Sequence, residues 1–116
     1  MKRFQRLSER GRFQQVRREG RSWSERLVVM CVLPNGLSWS RFGFSVSRHV
    51  GKAVVRNQMR RRLREVIRLR QSQIADGWDL VFIARTPIVT ASYQDIELTC
   101  ERLLERAGLL KPLEPT

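Results

Sequence analysis

His49 is the one histidine of the chain and the first candidate for acid–base chemistry. No carboxylate stands near it in sequence, so an imidazole in a basic loop, touching phosphate or water, is the preferred reading. Asp95, Glu97, Glu101 and Glu105 crowd the last helical segment and read as a solvated helix face. Cys31 and Cys100 sit in apolar patterns without metal-ligand spacing, which marks both as reduced core thiols. There is no GxSxG, no phosphate-cradling glycine loop and no metal-ligand cluster. The expectation is a chain with no catalytic residue, no metal site and no cofactor motif of its own. Binding chemistry is better represented. From Arg48 to Arg70 there are nine basic residues and a single acid, Glu65. Charges of one sign repel at this density unless an anion neutralises them, and the phosphates of a nucleic acid fit a linear array.

The whole sequence leans the same way. Its 116 residues have room for one domain and carry 23 basic against 11 acidic side chains. The first 70 residues hold 19 basic and 4 acidic groups, and the remaining 46 hold 4 and 7. Of the cations 20 are arginine and 3 lysine. Guanidinium forks match phosphate oxygens two at a time, although a genome-wide preference for arginine would give the same excess. The longest apolar run, Leu27 to Leu33, is far short of the roughly 20 residues that span a bilayer. Met1-Lys2-Arg3 is followed by polar and charged residues, so no secretory signal is expected and the cytosol is the default. A hydrophobic share of 41% with 29% charged residues is enough for one modest core.

The elements that must position the cations follow from periodicity. Ser8 is placed to cap a short helix with Phe13 and Val16 on one side, stopped at Gly20. Arg26 to Leu33 is a nearly continuous apolar strand, preceded by a short strand near Arg21 to Ser24. Pro34-Asn35-Gly36 signals a turn, and Phe42, Phe44 and Val46 then alternate with small residues over Arg41 to Ser47. Turn pairing predicts that these two strands are antiparallel neighbours. From about Val54 to Ile74 the period becomes helical. Val55, Met59, Leu63, Val66, Ile67, Leu69 and Ile74 fall in an arc of roughly 160°, and Asn57, Arg60, Arg61, Arg64 and Arg68 in about 100° on the other side. Arg56 and Arg62 lie at the borders. Asp76-Gly77 ends the helix before a buried strand, Asp79 to Ala84. Ser92 to Asp95 resembles a capping box for a last helix striped by Ile96, Cys100, Leu103, Leu104 and Ala107. Gly108 stops it, and a frayed tail is expected beyond. The prediction is an α+β sandwich, αββ(β)αβα, forming a single nucleic-acid-binding domain over 1–116 with its ordered core at about 7–108 and short tails.

At the basic segment the sequence is recognisable. The run from Ser45 to Glu65 (SVSRHVGKAVVRNQMRRRLRE) resembles the signature of the bacterial ribonuclease P protein subunit: a Ser-x-Ser strand end, a basic loop with glycine, Ala-Val-x-Arg-Asn and an arginine-rich helix. Leu7, Phe13 to Val16 and Gly20 resemble the family's first helix, and Phe82 to Pro87 its last strand and exit.

The resemblance implies an αβββαβα fold whose parallel strand–helix–strand crossover is left-handed, against a rule obeyed in about 98% of cases. It implies a subunit of an endoribonuclease whose RNA, using Mg²⁺, cleaves the 5′ leader from precursor tRNA. The partners are then that catalytic RNA and the precursor, with neither membrane nor DNA expected. Arg48, His49, Lys52, Arg56, Asn57, Gln58, Arg60, Arg61, Arg64 and Arg68 would face the catalytic RNA. Phe13, Arg17 and Cys31 would border a cleft for the single-stranded leader, with aromatic stacking as the physical means. Phe13 is open to a second reading as ordinary core packing. Three departures stand out. Gln58 replaces a cation, His49 is a weaker cation than the usual lysine, and Arg17 and Cys31 occupy positions often aromatic in the family. The competing functions are a ribosomal or other structural RNA-binding protein and a free-standing nuclease.

Overall fold

The computed structural model describes residues 5–112; Met1 to Arg3, where no secretory signal is expected, and the outer parts of both tails lie outside them. The element order is α1 (Arg10–Glu19), β1 (Arg21–Ser24), β2 (Val28–Pro34), β3 (Arg41–Ser45), α2 (Ala53–Arg70), β4 (Trp78–Ala84) and α3 (Tyr93–Arg106). The strands form one mixed sheet in the order β1-β2-β4-β3, with β3 and β4 parallel and the other two pairings antiparallel. Helix α2 is thus the crossover between two parallel neighbours.

Period-two burial explains why β2 reads as almost wholly apolar. Met30 and Val32 join the larger core with Leu80 and Phe82 of β4, Leu63, Val66 and Ile67 of α2 and Ile96, Cys100 and Leu103 of α3. Cys31 points the other way, into a smaller cluster with Leu7, Val16 and Val81, against which Phe13, Val29, Leu33 and Ile83 pack. Helices therefore cover both faces, α2 and α3 on one and α1 on the other. Each fully buried Leu, Ile or Phe contributes about 1.5–3 kcal/mol. Both thiols are free and buried, and burial pushes that of Cys100 up to about 12.

Five expectations are corrected. β2 and β3 are not neighbours, because β4 lies between them. Ser8 does not cap α1; the N-cap is Glu9, without a side-chain bond. Helix α2 ends at Arg70, well before Asp76, where a 3-10 turn over Gln71–Gln73 takes over. Leu69 is 54% exposed, although the periodicity puts it on the core arc. The segment after Gly108 is anchored, not frayed, as far as Lys111: Leu109 is buried and accepts from the Ala75 amide at 2.7 Å, and the Lys111 amide donates to Gln73 at 2.7 Å. Burying Leu109 offsets the entropy of holding those residues. Ser92 does cap α3, its hydroxyl accepting from the Asp95 amide at 3.0 Å.

Candidate nucleic-acid interface

The loop after β3 closes as a 3-10 turn over Arg48–Val50, with Val50 buried and Arg48, His49 and Lys52 exposed. Met59, Leu63, Val66 and Ile67 anchor α2 to the core. That anchoring leaves Asn57, Gln58 and Arg61 exposed and Arg56, Arg60, Arg64 and Arg68 half-buried on the outward side. Every residue expected to face RNA is therefore accessible, but their charges are not equivalent. Arg68 gives two bonds to Glu65, at 2.6 and 3.0 Å, which raise its pKa. Arg64 has no such counter-charge among the described residues: burial first, then Arg6, Arg60 and Arg61, push its pKa down. The buried Nε atoms of Arg56 and Arg64 have no hydrogen-bond partner among the described residues. A buried, unpaired N–H costs about 1–3 kcal/mol, a cost that an anionic oxygen on this face would remove.

Arg70, two residues beyond Arg68, belongs to the fold instead. It bonds Glu97 at 2.8 Å and Glu101 at 3.0 Å, tying α2 to α3. Those two carboxylates, expected on a solvated helix face, are thus partners of an arginine.

On the opposite side of the sheet, α1 lies across β2 and β4, and register fixes what it covers. Cys31, Val81 and Gly43 form one cross-strand row, and Val29, Ile83 and Ser45 the next. The Phe13 ring rests on Gly43, where a Cβ would come within 2.7 Å of it, so only glycine fits beneath that ring. Gly20 ends α1 for a similar reason, since a Cβ there would meet the Val32 carbonyl oxygen. Phe13 is half-buried and Arg17 exposed, while Cys31 is buried under α1. Burial raises the Cys31 pKa and the nearby Arg17 charge lowers it in part. Val29 and Ile83, on the same face as Cys31, remain half-exposed beside the helix.

What fixes α1 on the sheet is not apparent from sequence periodicity. Asp79 is completely buried and accepts from Arg12 Nε at 2.7 Å, Arg41 Nε at 2.8 Å, Arg41 Nη2 at 2.7 Å and Asn35 Nδ2 at 3.0 Å. Arg12 also donates to the Pro34 carbonyl at 2.9 Å. One carboxylate therefore clamps α1, the β2 end and β3 together. The available signal was a charged residue opening an otherwise apolar strand, because a buried carboxylate requires cationic partners.

The two predicted groups meet. A cavity of about 270 Å³ is lined by Arg6, Leu7, Ser8, Phe13, Phe42, Gly43, Phe44, Arg60 and Arg64. Residues 5–7 form its strap: the Leu7 amide donates to the Phe42 carbonyl at 2.8 Å and the Phe42 amide to the Gln5 carbonyl at 3.0 Å. Arg6 too was absent from the sequence-predicted set.

The family Ribonuclease P matches residues 1–108. The chain belongs to the ribonuclease P protein family. It is 45% identical over 112 residues to the ribonuclease P protein component of Roseiflexus castenholzii, covering 96% of this chain and 92% of that relative. The RNase P protein of Staphylococcus aureus superposes with a TM-score of 0.85 at 29% identity, covering 94% of this chain and 100% of that one. The RNase P protein from Thermotoga maritima gives 0.80 at 31%, covering 88% and 96%. Ribonuclease P is an endoribonuclease holoenzyme of tRNA processing, and members of this family are its protein subunit. The α+β fold is the family's, and membership in it displaces the ribosomal alternative. Among the described residues no helix is long and apolar enough to cross a membrane.

Proposed function

We propose that this chain holds RNA for ribonuclease P in the cytoplasm, that the catalytic RNA cleaves the 5′ leader from precursor tRNA, and that the polypeptide itself breaks no bond. The carrying observation is the shared cavity, in which the uncompensated Arg60 and Arg64 of α2 approach the Phe13 ring on α1. On this reading the Arg48–Lys52 loop and Arg56, Asn57, Gln58, Arg60, Arg61, Arg64 and Arg68 lie on the catalytic RNA. The leader runs beside α1, stacked on Phe13 with a phosphate on Arg17, and Cys31 contributes only the floor. Mg²⁺ prefers oxygen ligands and keeps several waters, binding through one or two carboxylates plus phosphates. The donor set here does not fit it: among the described residues no three His, Cys, Asp or Glu side chains come together to hold an ion, and Asp79 and Glu65 are engaged by arginines. The ion is assigned to the RNA, and no step is routed through this chain.

The test is reconstitution with the catalytic RNA at low Mg²⁺. The chain should restore cleavage and tighten binding of precursor tRNA more than of mature tRNA. Stacking a base on an aromatic ring is worth roughly 1–3 kcal/mol, so Phe13→Ala should erode the precursor preference by up to that amount while mature tRNA binding barely changes. Arg17→Ala should reduce it in a salt-dependent way. With both variants folded by circular dichroism, an undiminished preference in Phe13→Ala would make that ring core packing alone.

His49→Ala checks the division of labour. If this exposed imidazole only touches phosphate or a base, its removal should lower activity modestly, and more protein should restore it. A general base contributes about 10²–10⁴-fold, and single-turnover cleavage at saturating subunit would expose a loss of that size.

A further inference from the structure

Two of the large apolar side chains left exposed by the fold, Trp39 at 42% and Leu69 at 54%, line the same cavity. It has a volume of about 410 Å³ and lies between the loop before β3, the last turn of α2 and the segment around Lys111. That size is within the range of small-ligand sites. We propose that this pocket takes one unpaired base of the catalytic RNA, stacked on Trp39, an inference that rests on the function proposed above.

Three observations carry it. The tryptophan is presented on a pinned backbone. Asn35 Nδ2 donates to the Trp39 carbonyl at 3.1 Å, and the next residue, Ser40, donates to the Ala75 carbonyl at 2.7 Å and accepts from the Trp78 amide at 3.0 Å. A ring carried on a backbone fixed in this way adds no loop-ordering cost when a base stacks on it. Next, the pocket is close to neutral inside a chain of net charge +12. Its two cations are already matched, Arg68 by Glu65 and Lys111 by Asp76. Such a lining suits the uncharged part of a nucleotide, and Gln71 and Ser72 offer an amide and a hydroxyl to a base edge. Finally, the pocket lies where the stripe that carries the phosphate-binding Arg60 and Arg64 ends, at the Glu65-paired Arg68. Arg60, Arg64 and Arg68 stand four residues apart on one helical stripe. The first two line the cavity under Phe13 and the third lines this one, with Phe42 shared between them. A strand whose phosphates follow that stripe reaches Trp39 along α2, which assigns the base to the catalytic RNA rather than to the leader.

The experiment measures affinity of the full-length chain for transcribed catalytic RNA across a salt series. Trp39→Ala should weaken binding by about 5- to 150-fold, the equivalent of one missing stack. The salt slope should stay unchanged, because every phosphate ion pair is kept. Trp39→Phe should keep most of the affinity, and Leu69→Asn should weaken it in the same direction. Both side chains are surface-exposed in part, and thermal melts verify that the variants are folded. Unchanged affinity in Trp39→Ala and Leu69→Asn, with the wild type binding normally, overturns this inference alone. So does a loss confined to precursor tRNA, or one seen only as altered self-association or altered binding of another protein. A wild-type chain that fails to bind the RNA overturns the proposed function as well.

Discussion

Asp79→Ala is expected to remove about 3–5 kcal/mol of folding stability, the range for deleting one partner of a buried ion pair. The carboxylate is fully buried, and its removal leaves Arg12 and Arg41 pointing at each other across its place. Those arginines keep some solvent, at 17% and 28% exposure, so the lower half of the range is expected. Burial alone would raise the Asp79 pKa, but hydrogen bonds from Arg41, Asn35 and Arg12 outweigh it and hold the carboxyl below its ordinary value. A depressed folded-state pKa contributes stability that is fully present above the unfolded value, about 3.9, and is lost as pH falls through the folded one. Urea melts from pH 7 downward should therefore show a loss of stability below about pH 4 in the wild type. In Asp79→Asn that acid-side slope should be shallower. Equal slopes in the two proteins would assign acid sensitivity elsewhere. Because the clamp also seats α1, the Asn variant should lose precursor preference beyond what its melting temperature explains at 25 °C.

The same clamp shows why part of the fold could be read from sequence and part could not. Local pattern sufficed for the existence and buried face of α2, for β2 as a buried strand and for the Ser92 cap, since each depends on residues within a turn or two. Leu69 failed at the edge of this rule. It falls at one border of the apolar arc, in the last turn, and the side chains that define the buried face, Met59, Leu63, Val66 and Ile67, lie towards the other border. Strand order depends on contacts distant in sequence. Pro34-Asn35-Gly36 has the composition of a hairpin turn, yet Asn35 spends its amide on the Gly77 carbonyl and its side chain on Asp79. The six residues 35–40 step across β4 instead of folding β3 back onto β2, a span of roughly 10 Å at about 4.8 Å per strand. The cation inventory was legible, but not its sorting. Only the folded chain shows that Arg12, Arg41 and Arg70 serve the structure, that Arg68 is neutralised by Glu65, and that Arg56, Arg60 and Arg64 have no counter-ion pair among the described residues.

That sorting leads to the second large effect. Arg60→Ala combined with Arg64→Ala should weaken binding of the catalytic RNA without unfolding the chain. Charge-assisted hydrogen bonds are worth about 1.5–3 kcal/mol each, so losing both should cost roughly 10²- to 10⁴-fold in Kd. Each phosphate ion pair removed should also flatten the dependence of log K on log salt by about 0.7–0.9. Folding stability should be kept or slightly improved. Arg64 repels Arg6, Arg60 and Arg61 in the free protein, and its buried Nε is without a partner among the described residues. Arg60 loses only its bond to Asn57, at 2.8 Å. Arg70→Ala is the matched control with opposite behaviour: it breaks the Glu97 and Glu101 bridges, so it should lower the melting temperature while leaving the salt slope unaltered. A double variant that melts early and binds with the wild-type salt slope would mean that Arg60 and Arg64 support the strap over residues 5–7. The phosphates would then lie on the exposed Arg48, Lys52 and Arg61 instead.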